Sequence, residues 1–138
     1  MNNKIYLYDT HTHTNMNPML NELSNIIDIC KGKHIIFNCV GTCLNDSKLA
    51  VEQAKQYKGV IYATIGLHPS EIGNYQDIEE LEKLYLANKE YIVAWGEIGL
   101  DYKEGNPNKQ LQKEFFIKQL EIVNKYNLPV CIHVRDAE

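Results

Sequence analysis

The chain has 138 residues, of which 44% are hydrophobic, which is enough apolar material for the core of one domain and argues against a disordered protein. Its formal net charge of −4 gives an overall field that repels a polyanion, so any contact with nucleic acid has to be local. The N-terminus lacks the apolar segment of a signal peptide, and no apolar run approaches the roughly 18 residues of a membrane span. We therefore expect a soluble, cytoplasmic protein.

Five short apolar runs, rich in Val and Ile, alternate with longer segments of helical period. Nearly continuous runs of this kind are typical of parallel strands that are covered on both faces. Strands are therefore predicted over residues 5–8, 35–40, 60–65, 92–95 and 130–132.

The first predicted helix lies between the first two runs. Asn17 and Pro18 are suited to be its N-cap and first helical residue, and Gly32 is expected to end it. Its apolar stripe is formed by Met19, Leu23, Ile26 and Cys30.

Three further helices are predicted over residues 46–57, 78–88 and 109–126. Gly59 follows the second. In the third, one face carries Ile78, Leu81 and Tyr85. In the fourth, the apolar positions at i, i+4 and i+7 are Phe116, Leu120 and Val123. The alternation of strands and helices predicts a parallel α/β architecture with right-handed crossovers.

Polar residues follow four of the five runs. Active sites of parallel α/β folds gather beyond the C-terminal ends of the strands, so these residues are the informative ones. They are the segments 9–13, 66–69, 96–101 and 133–136, whereas His34 is the only one of the five histidines that precedes a strand.

Three of these segments carry residues that can bind a cation. Extended backbone repeats every two residues, so His11 and His13 point the same way and can hold one ion, although two partly exposed loop imidazoles would look the same. Glu97 is either a solvated loop carboxylate or a bridge between two cations at a separation of roughly 3.5–4 Å. His133 can add a nitrogen to the second ion.

Two more residues can contact a substrate. Arg135, the only arginine, lies two residues after His133, so its guanidinium can face the same cavity and bind phosphate oxygens, or it is a surface residue. His68 can donate a hydrogen bond to a substrate oxygen or stabilise its own loop. The four scattered cysteines, by contrast, favour reduced, partly buried thiols over a metal or redox pair.

The four polar segments resemble the motifs of the TatD family of metal-dependent deoxyribonucleases, within the amidohydrolase-like barrel superfamily. Asp9-Thr10-His11-Thr12-His13 is similar to the Asp-x-His-x-His opening of that family, and Gly66-Leu67-His68-Pro69 to its second block. Gly96-Glu97-Ile98-Gly99-Leu100-Asp101-Tyr102 resembles the most distinctive block, and His133-Val134-Arg135-Asp136-Ala137 the His-x-Arg block.

The resemblance implies a fold, a reaction and a set of site residues. The fold is a TIM-type (β/α) barrel, and the reaction is hydrolysis of phosphodiester bonds, in DNA or a related substrate, by a TatD-like exonuclease with a metal-bound hydroxide as nucleophile. Two divalent ions, Mg, Mn or Zn, are implied, bound by His11, His13, Glu97 and His133. Glu97 bridges the two ions and is the catalytic carboxylate. His68 and Arg135 lie near the substrate phosphate, while Asp9 and Asp101 orient imidazoles or water.

The length departs from the family pattern. A complete barrel needs about 250 residues, so residues 1–138 are expected to be the N-terminal portion of a single TatD-like barrel domain, truncated after the fifth strand. A later His and a C-terminal Asp of the family have no counterpart. We expect the open barrel edge to favour self-association and the truncated chain to have little activity.

Two other interpretations remain open. One is an amidohydrolase relative that cleaves C–N bonds, in which the same barrel mouth polarises a carbonyl. Glu97 speaks against it, because many such relatives place a carboxylated lysine on that strand. The other is an inactive half-barrel that pairs with another polypeptide.

Overall fold

The computed structural model of the chain describes residues 4–138, so the first three residues of the predicted domain lie outside it. Five parallel strands pair in chain order and form a curled half-barrel, which confirms the predicted fold class. The strands are β1 (Leu7–Thr12), β2 (Ile35–Val40), β3 (Ile61–Ile65), β4 (Ile92–Asp101) and β5 (Val130–Arg135).

Four α-helices connect the strands, as predicted. They are α1 (Leu23–Lys33), α2 (Leu44–Gln56), α3 (Gln76–Ala87) and α4 (Lys109–Tyr126), and a short 3-10 helix (Met19–Glu22) precedes α1. Within residues 4–138, no helix has both the length and the apolar character needed to cross a bilayer.

Three strands extend further towards their C-terminal ends than predicted. β1 begins two residues later than expected and continues through His11, while β4 continues through Glu97 to Asp101 and β5 through His133 to Arg135. The reason is that the backbone of these polar segments still pairs with the neighbouring strand; for example, Asp101 lies opposite Arg135. The apolar runs in the sequence identify only the part of each strand that packs against the helices. Three of the four candidate ligands, His11, Glu97 and His133, are therefore on strands, and His13 directly follows β1.

The prediction for both ends of the first helix was wrong. Asn17 does not cap an α-helix: the chain first forms the 3-10 helix, and α1 begins at Leu23. Gly32 does not end it either. The helix continues to Lys33 and ends at His34, which has the left-handed φ of 56° and whose backbone N–H donates to the carbonyls of Cys30 and Lys31. The N–H of this left-handed residue satisfies these last carbonyls, which is a common way for a helix to end.

The buried face of α4 differs from the predicted one by one residue. Phe116, Leu120 and Val123 are only partly buried, and the fully buried residues are Gln112, Phe115, Gln119 and Ile122. The buried face contains two glutamines, so a search for apolar residues at helical spacing did not identify it. The predicted face of α3, with Ile78, Leu81 and Tyr85, is confirmed.

The core lies between the central strands and the helices, and the two outer strands are open. β2, β3 and β4 supply buried residues such as Phe37, Ile65 and Trp95. On the outer strands, Leu7 is 56% exposed and Ile132 is 55% exposed. Because all five strands are parallel, their C-terminal ends lie at the same edge of the sheet. The polar segments meet at this edge.

Candidate metal centre

The side chains of His11 and His13 lie together at the end of β1. Their Nε2 atoms are 3.1 Å apart, and both face Glu97 Oε2, at 3.4 Å from His11 and 3.8 Å from His13. The ring of His13 is held by a contact of 3.1 Å between its Nδ1 and the backbone oxygen of Val40. A carbonyl can only accept, so His13 carries its proton on Nδ1 and directs the Nε2 lone pair at Glu97.

Glu97 lies in the middle of the site and is 8% exposed. Its backbone N–H donates to the carbonyl of Gly41 after β2, and the carbonyl of the preceding Gly96 accepts from Thr64 Oγ1 on β3. These bonds hold the carboxylate between β1 and β5. Its second oxygen, Oε1, is 2.9 Å from Nδ1 of His133.

On β5, His133 is fixed from the opposite side by a buried carboxylate. Nε2 of His133 is 3.0 Å from Oδ2 of Asp101, whose side chain is fully buried. Asp101 also accepts from Nε of Arg135 at 2.9 Å, contacts its Nη2 at 2.6 Å, and accepts from the backbone N–H of Lys103. The guanidinium beside it holds the pKa of the Asp101 carboxyl far below its ordinary value.

Because Asp101 is ionised, it can only accept, and His133 therefore donates to it through Nε2. This leaves the Nδ1 lone pair of a neutral His133 facing an oxygen of Glu97. The Nε2 lone pair of His13 faces the other oxygen of the same carboxylate. Each oxygen of Glu97 thus faces an imidazole nitrogen that carries a lone pair. Because both atoms of each pair are acceptors, a proton or a cation has to lie between them. The donor set fits divalent cations, for which nitrogen and carboxylate oxygen are common ligands.

The mouth of the half-barrel contains a cavity of about 360 Å³. It is lined by His13, Met16, Thr42, His68, Ser70, Glu97, His133 and Arg135. The half-buried His68 lies with its ring centroid 4.2 Å from that of His133. Burial, with a smaller contribution from His133, lowers the pKa of His68 below its ordinary value, which favours the neutral ring.

The glycines of the β4 segment allow β5 to approach closely. A Cβ at Gly96 would overlap the carbonyl oxygen of Cys131, and one at Gly99 would overlap that of His133. Both glycines also have positive φ, at 144° and 150°. A side chain at either position would push β5 away and move His133 from Glu97.

Of the eight predicted site residues, five line this cavity, and His11 contacts two of these five, His13 and Glu97. The other two, Asp101 and Asp9, lie outside the lining. Asp101 orients His133 and also engages one edge of Arg135, which leaves only the remaining N–H groups of the guanidinium for a substrate. Asp9 accepts from the backbone N–H of His11 at 3.1 Å, so it acts on the strand backbone and not on an imidazole ring.

The sequence interpretation missed several residues that position the site. Cys131 Sγ lies 3.3 Å from Nδ1 of His11 and is one of four free thiols, in agreement with the prediction for the cysteines. On α4, the side-chain amide of Gln119 bonds both the N–H and the C=O of Leu67, and that of Gln112 bonds both groups of Asp101. Their spacing of seven residues on an inner helix face is the signal that could have revealed them.

Comparison with known proteins agrees with this geometry. Residues 8–138 match the family described as TatD related DNase. The chain belongs to the TatD family. The predicted resemblance is thus confirmed, and the match covers every candidate ligand on the strands.

Relatives of this TatD chain are longer than it is. An uncharacterized metal-dependent hydrolase of Mycoplasma genitalium is 37% identical over 134 residues, which are 94% of this chain and 51% of the relative. A 3'-5' ssDNA/RNA exonuclease TatD of Escherichia coli is 36% identical over 97 residues, 70% of this chain and 37% of the relative. The chain therefore spans about half the length, or less, of these curated relatives.

A solved structure shares the fold. The crystal structure of a TatD homologue from Escherichia coli superposes with a TM-score of 0.85 at 25% identity and covers 96% of this chain and 52% of its own. The five strands thus correspond to about half of a TatD chain.

Proposed function

We propose that the protein carrying this chain is a divalent-metal-dependent phosphodiesterase that acts on nucleic acid, with DNA as the first candidate substrate and exonucleolytic cleavage as the mode. The observation that carries the proposal is the position of Glu97. One oxygen of this buried carboxylate faces His11 and His13, and the other faces His133. Names of relatives, a metal-dependent hydrolase and a 3'-5' ssDNA/RNA exonuclease, support the same reaction class.

In this proposal, His11, His13 and Glu97 hold one cation, and Glu97 and His133 hold a second. When bound, the two ions supply a water of lowered pKa as nucleophile and offset the charge that develops on the phosphoryl oxygens. Asp101 keeps His133 in the tautomer that presents Nδ1 to the site. The free N–H groups of Arg135 bind a phosphate oxygen.

The test is an assay of the protein that carries this chain on single-stranded DNA, single-stranded RNA and a dinucleotide ester. We expect cleavage that needs Mg²⁺ or Mn²⁺, stops with chelator and releases mononucleotides from one end. Metal content measured on the same sample should give two ions per chain. Turnover that persists after complete removal of metal would refute the proposal.

The competing interpretation of the same site is an amidohydrolase that cleaves C–N bonds. Among the described residues, none of those that line the cavity is a lysine, so the carboxylated lysine of many such enzymes has no candidate here. Cyclic amides offered under the same conditions should therefore remain intact. Their hydrolysis at a rate comparable to that of the dinucleotide ester would favour the amidohydrolase reading.

The 138-residue chain expressed alone tests the half-barrel interpretation. Both outer strands expose apolar side chains, among them Leu7, Tyr8 and Val134, and unpaired strand edges favour association. We predict that this polypeptide self-associates, as measured by light scattering after gel filtration, with DNase activity near background. A monomer that melts cooperatively and cleaves DNA with Mg²⁺ would contradict the prediction.

A further inference from the structure

The turn after β3 holds the ring of His68 through two atoms of Ser70. The backbone N–H of Ser70 donates to His68 Nδ1 at 3.1 Å, and Ser70 Oγ lies 2.7 Å from the same nitrogen. The turn itself is fixed, because the N–H of His68 donates to the carbonyl of Thr42 and the N–H of Glu71 donates to the carbonyl of His68. Ser70 is exposed and lines the cavity.

These contacts determine where His68 carries its proton. A backbone N–H can only donate, so Nδ1 of His68 has to accept, and the neutral ring then carries its proton on Nε2. The Ser70 hydroxyl donates to the same lone pair. His68 therefore has the opposite tautomer to His13, whose Nδ1 faces the carbonyl of Val40.

Ligand atoms of His68, Asp101 and His133 lie within 4.8 Å of one another, which by distance alone permits a metal site. The hydrogen bonds speak against it. Nδ1 of His68 is occupied by Ser70, Nε2 of His133 donates to Asp101, and Asp101 is already paired with Arg135. The hydrogen-bonding group of this cluster that remains free to contact a substrate is the Nε2–H of His68.

We infer that Ser70 is a positioning residue that holds His68 as the Nε2–H tautomer, so that His68 donates a hydrogen bond to a phosphate oxygen of the substrate and does not bind metal. This inference rests on the proposed function and adds a specificity element to it. His68 and Arg135 then bind the phosphate as two donors on the β3 and β5 sides of the cavity. The cations remain with His11, His13, Glu97 and His133.

The first measurement does not depend on turnover. Long-range ¹H–¹⁵N correlation spectra of the Mg²⁺-loaded protein that carries this chain should show a protonated Nε2 and an unprotonated Nδ1 for His68. The resonances should keep this pattern when Mg²⁺ is removed, and Nε2 should shift on addition of inorganic phosphate. A protonated Nδ1, or a His68 resonance that follows the metal and not phosphate, would overturn the inference.

The second measurement uses variants of this exposed turn, so folding is not at stake. Ser70→Ala keeps the backbone N–H that donates to His68 Nδ1 and removes only the hydroxyl bond that helps to orient the ring. It should raise KM for bis(p-nitrophenyl) phosphate and Ki for inorganic phosphate about 3- to 10-fold, the effect of one hydrogen bond, while kcat changes little. Ser70→Thr should restore the wild-type values, and Glu71→Asp on the same turn should not change them. Mg²⁺ affinity should be equal in all three variants.

Equal KM and Ki in Ser70→Ala and wild type, or a loss of Mg²⁺ affinity in Ser70→Ala, would refute the role of Ser70. A wild-type protein without phosphodiesterase activity would instead refute the proposed function. The His68 spectra and the phosphate titration would then decide on Ser70 by themselves.

Discussion

β1 and β5 are both outer strands and both present imidazoles to Glu97, yet they hold them differently. The side chains of His11 and His13 are 41% and 32% exposed. Outside the cluster, the polar contacts of their rings within residues 4–138 are with Cys131 Sγ and the carbonyl of Val40. His133 is 21% exposed and is fixed by the fully buried Asp101. We therefore expect the β5 side to be arranged before an ion binds and the β1 side to gain more of its order when an ion binds.

Glu97→Gln affects both sides and should have the largest effect. The amide keeps the shape of the carboxylate but loses its charge and one acceptor, so neither cation is held well. We expect kcat to fall by at least about 100-fold, the scale of losing one electrostatic group at a reacting centre. Metal stoichiometry should fall below two. Glu90→Gln, at an exposed glutamate that pairs with Lys58, is the matched control. Wild-type turnover in Glu97→Gln would make Glu97 a structural residue.

Asp101→Asn tests the β5 side. The substitution removes the charge that pairs with Arg135 and leaves one acceptor oxygen where His133 and Arg135 now use two, so the tautomer of His133 is less firmly fixed. Loss of such a supporting partner lowers metal affinity or activity by about 10- to 100-fold. Calorimetry should show one ion weakened and the other bound as in the wild type. Asp28→Asn on the exposed face of α1 serves as control, and two ions weakened equally would show that the two sides are not independent.

His13→Ala tests the β1 side. It removes one ligand nitrogen, and we expect the loss of one of the two ions with the β5 ion retained. Because the β1 side depends on the ion for its order, the remaining ring, His11, should become mobile, which its NMR line widths would report. Two tightly bound ions in His13→Ala would remove His13 from the ligand set.

Arg135→Lys should have the smallest effect of the four. Lysine cannot reproduce the planar fork that engages Asp101 and still offers N–H groups to a phosphate. We expect KM to rise about 10-fold, as for the loss of a charge-assisted hydrogen bond, with metal stoichiometry unchanged. Steady-state kinetics with a dinucleotide ester measures this. An unchanged KM would indicate that Arg135 is a surface residue that does not bind the substrate.

The order of strands and helices could be predicted from the sequence because apolar runs and helical periods alternate without interruption. α4 was predicted with its observed bounds, 109–126, from the helical spacing of its apolar residues, and in the structure the side chain of Asn108 caps it. The strand ends were not predictable in this way. His133 lies inside β5 because its backbone pairs with Gly99, and Glu97 lies at an irregularity of β4 between the paired residues Trp95 and Ile98. Polar side chains do not reveal such pairing.

The candidate ligands could be named from the sequence, but the residues that support them could not. His11, His13, Glu97 and His133 stand out because imidazole and carboxylate groups follow apolar runs. Ser70, Gln112 and Gln119 are ordinary polar residues by composition. Their roles depend on which backbone groups the fold brings opposite them, and this is a property of tertiary structure alone.

The two buried glutamines of α4 have a consequence for the dimensions of the site. Seven residues of α-helix span about 10 Å, so α4 acts as a rigid spacer between the backbone of Leu67 beside His68 and that of Asp101. Inserting one residue between Gln112 and Gln119 would turn one amide about 100° away from its partner while leaving every ligand in the chain. The amide protons of Leu67 and Asp101 should accordingly exchange with solvent at the rate of the α4 backbone, and not at the rate of the strand ends to which they belong.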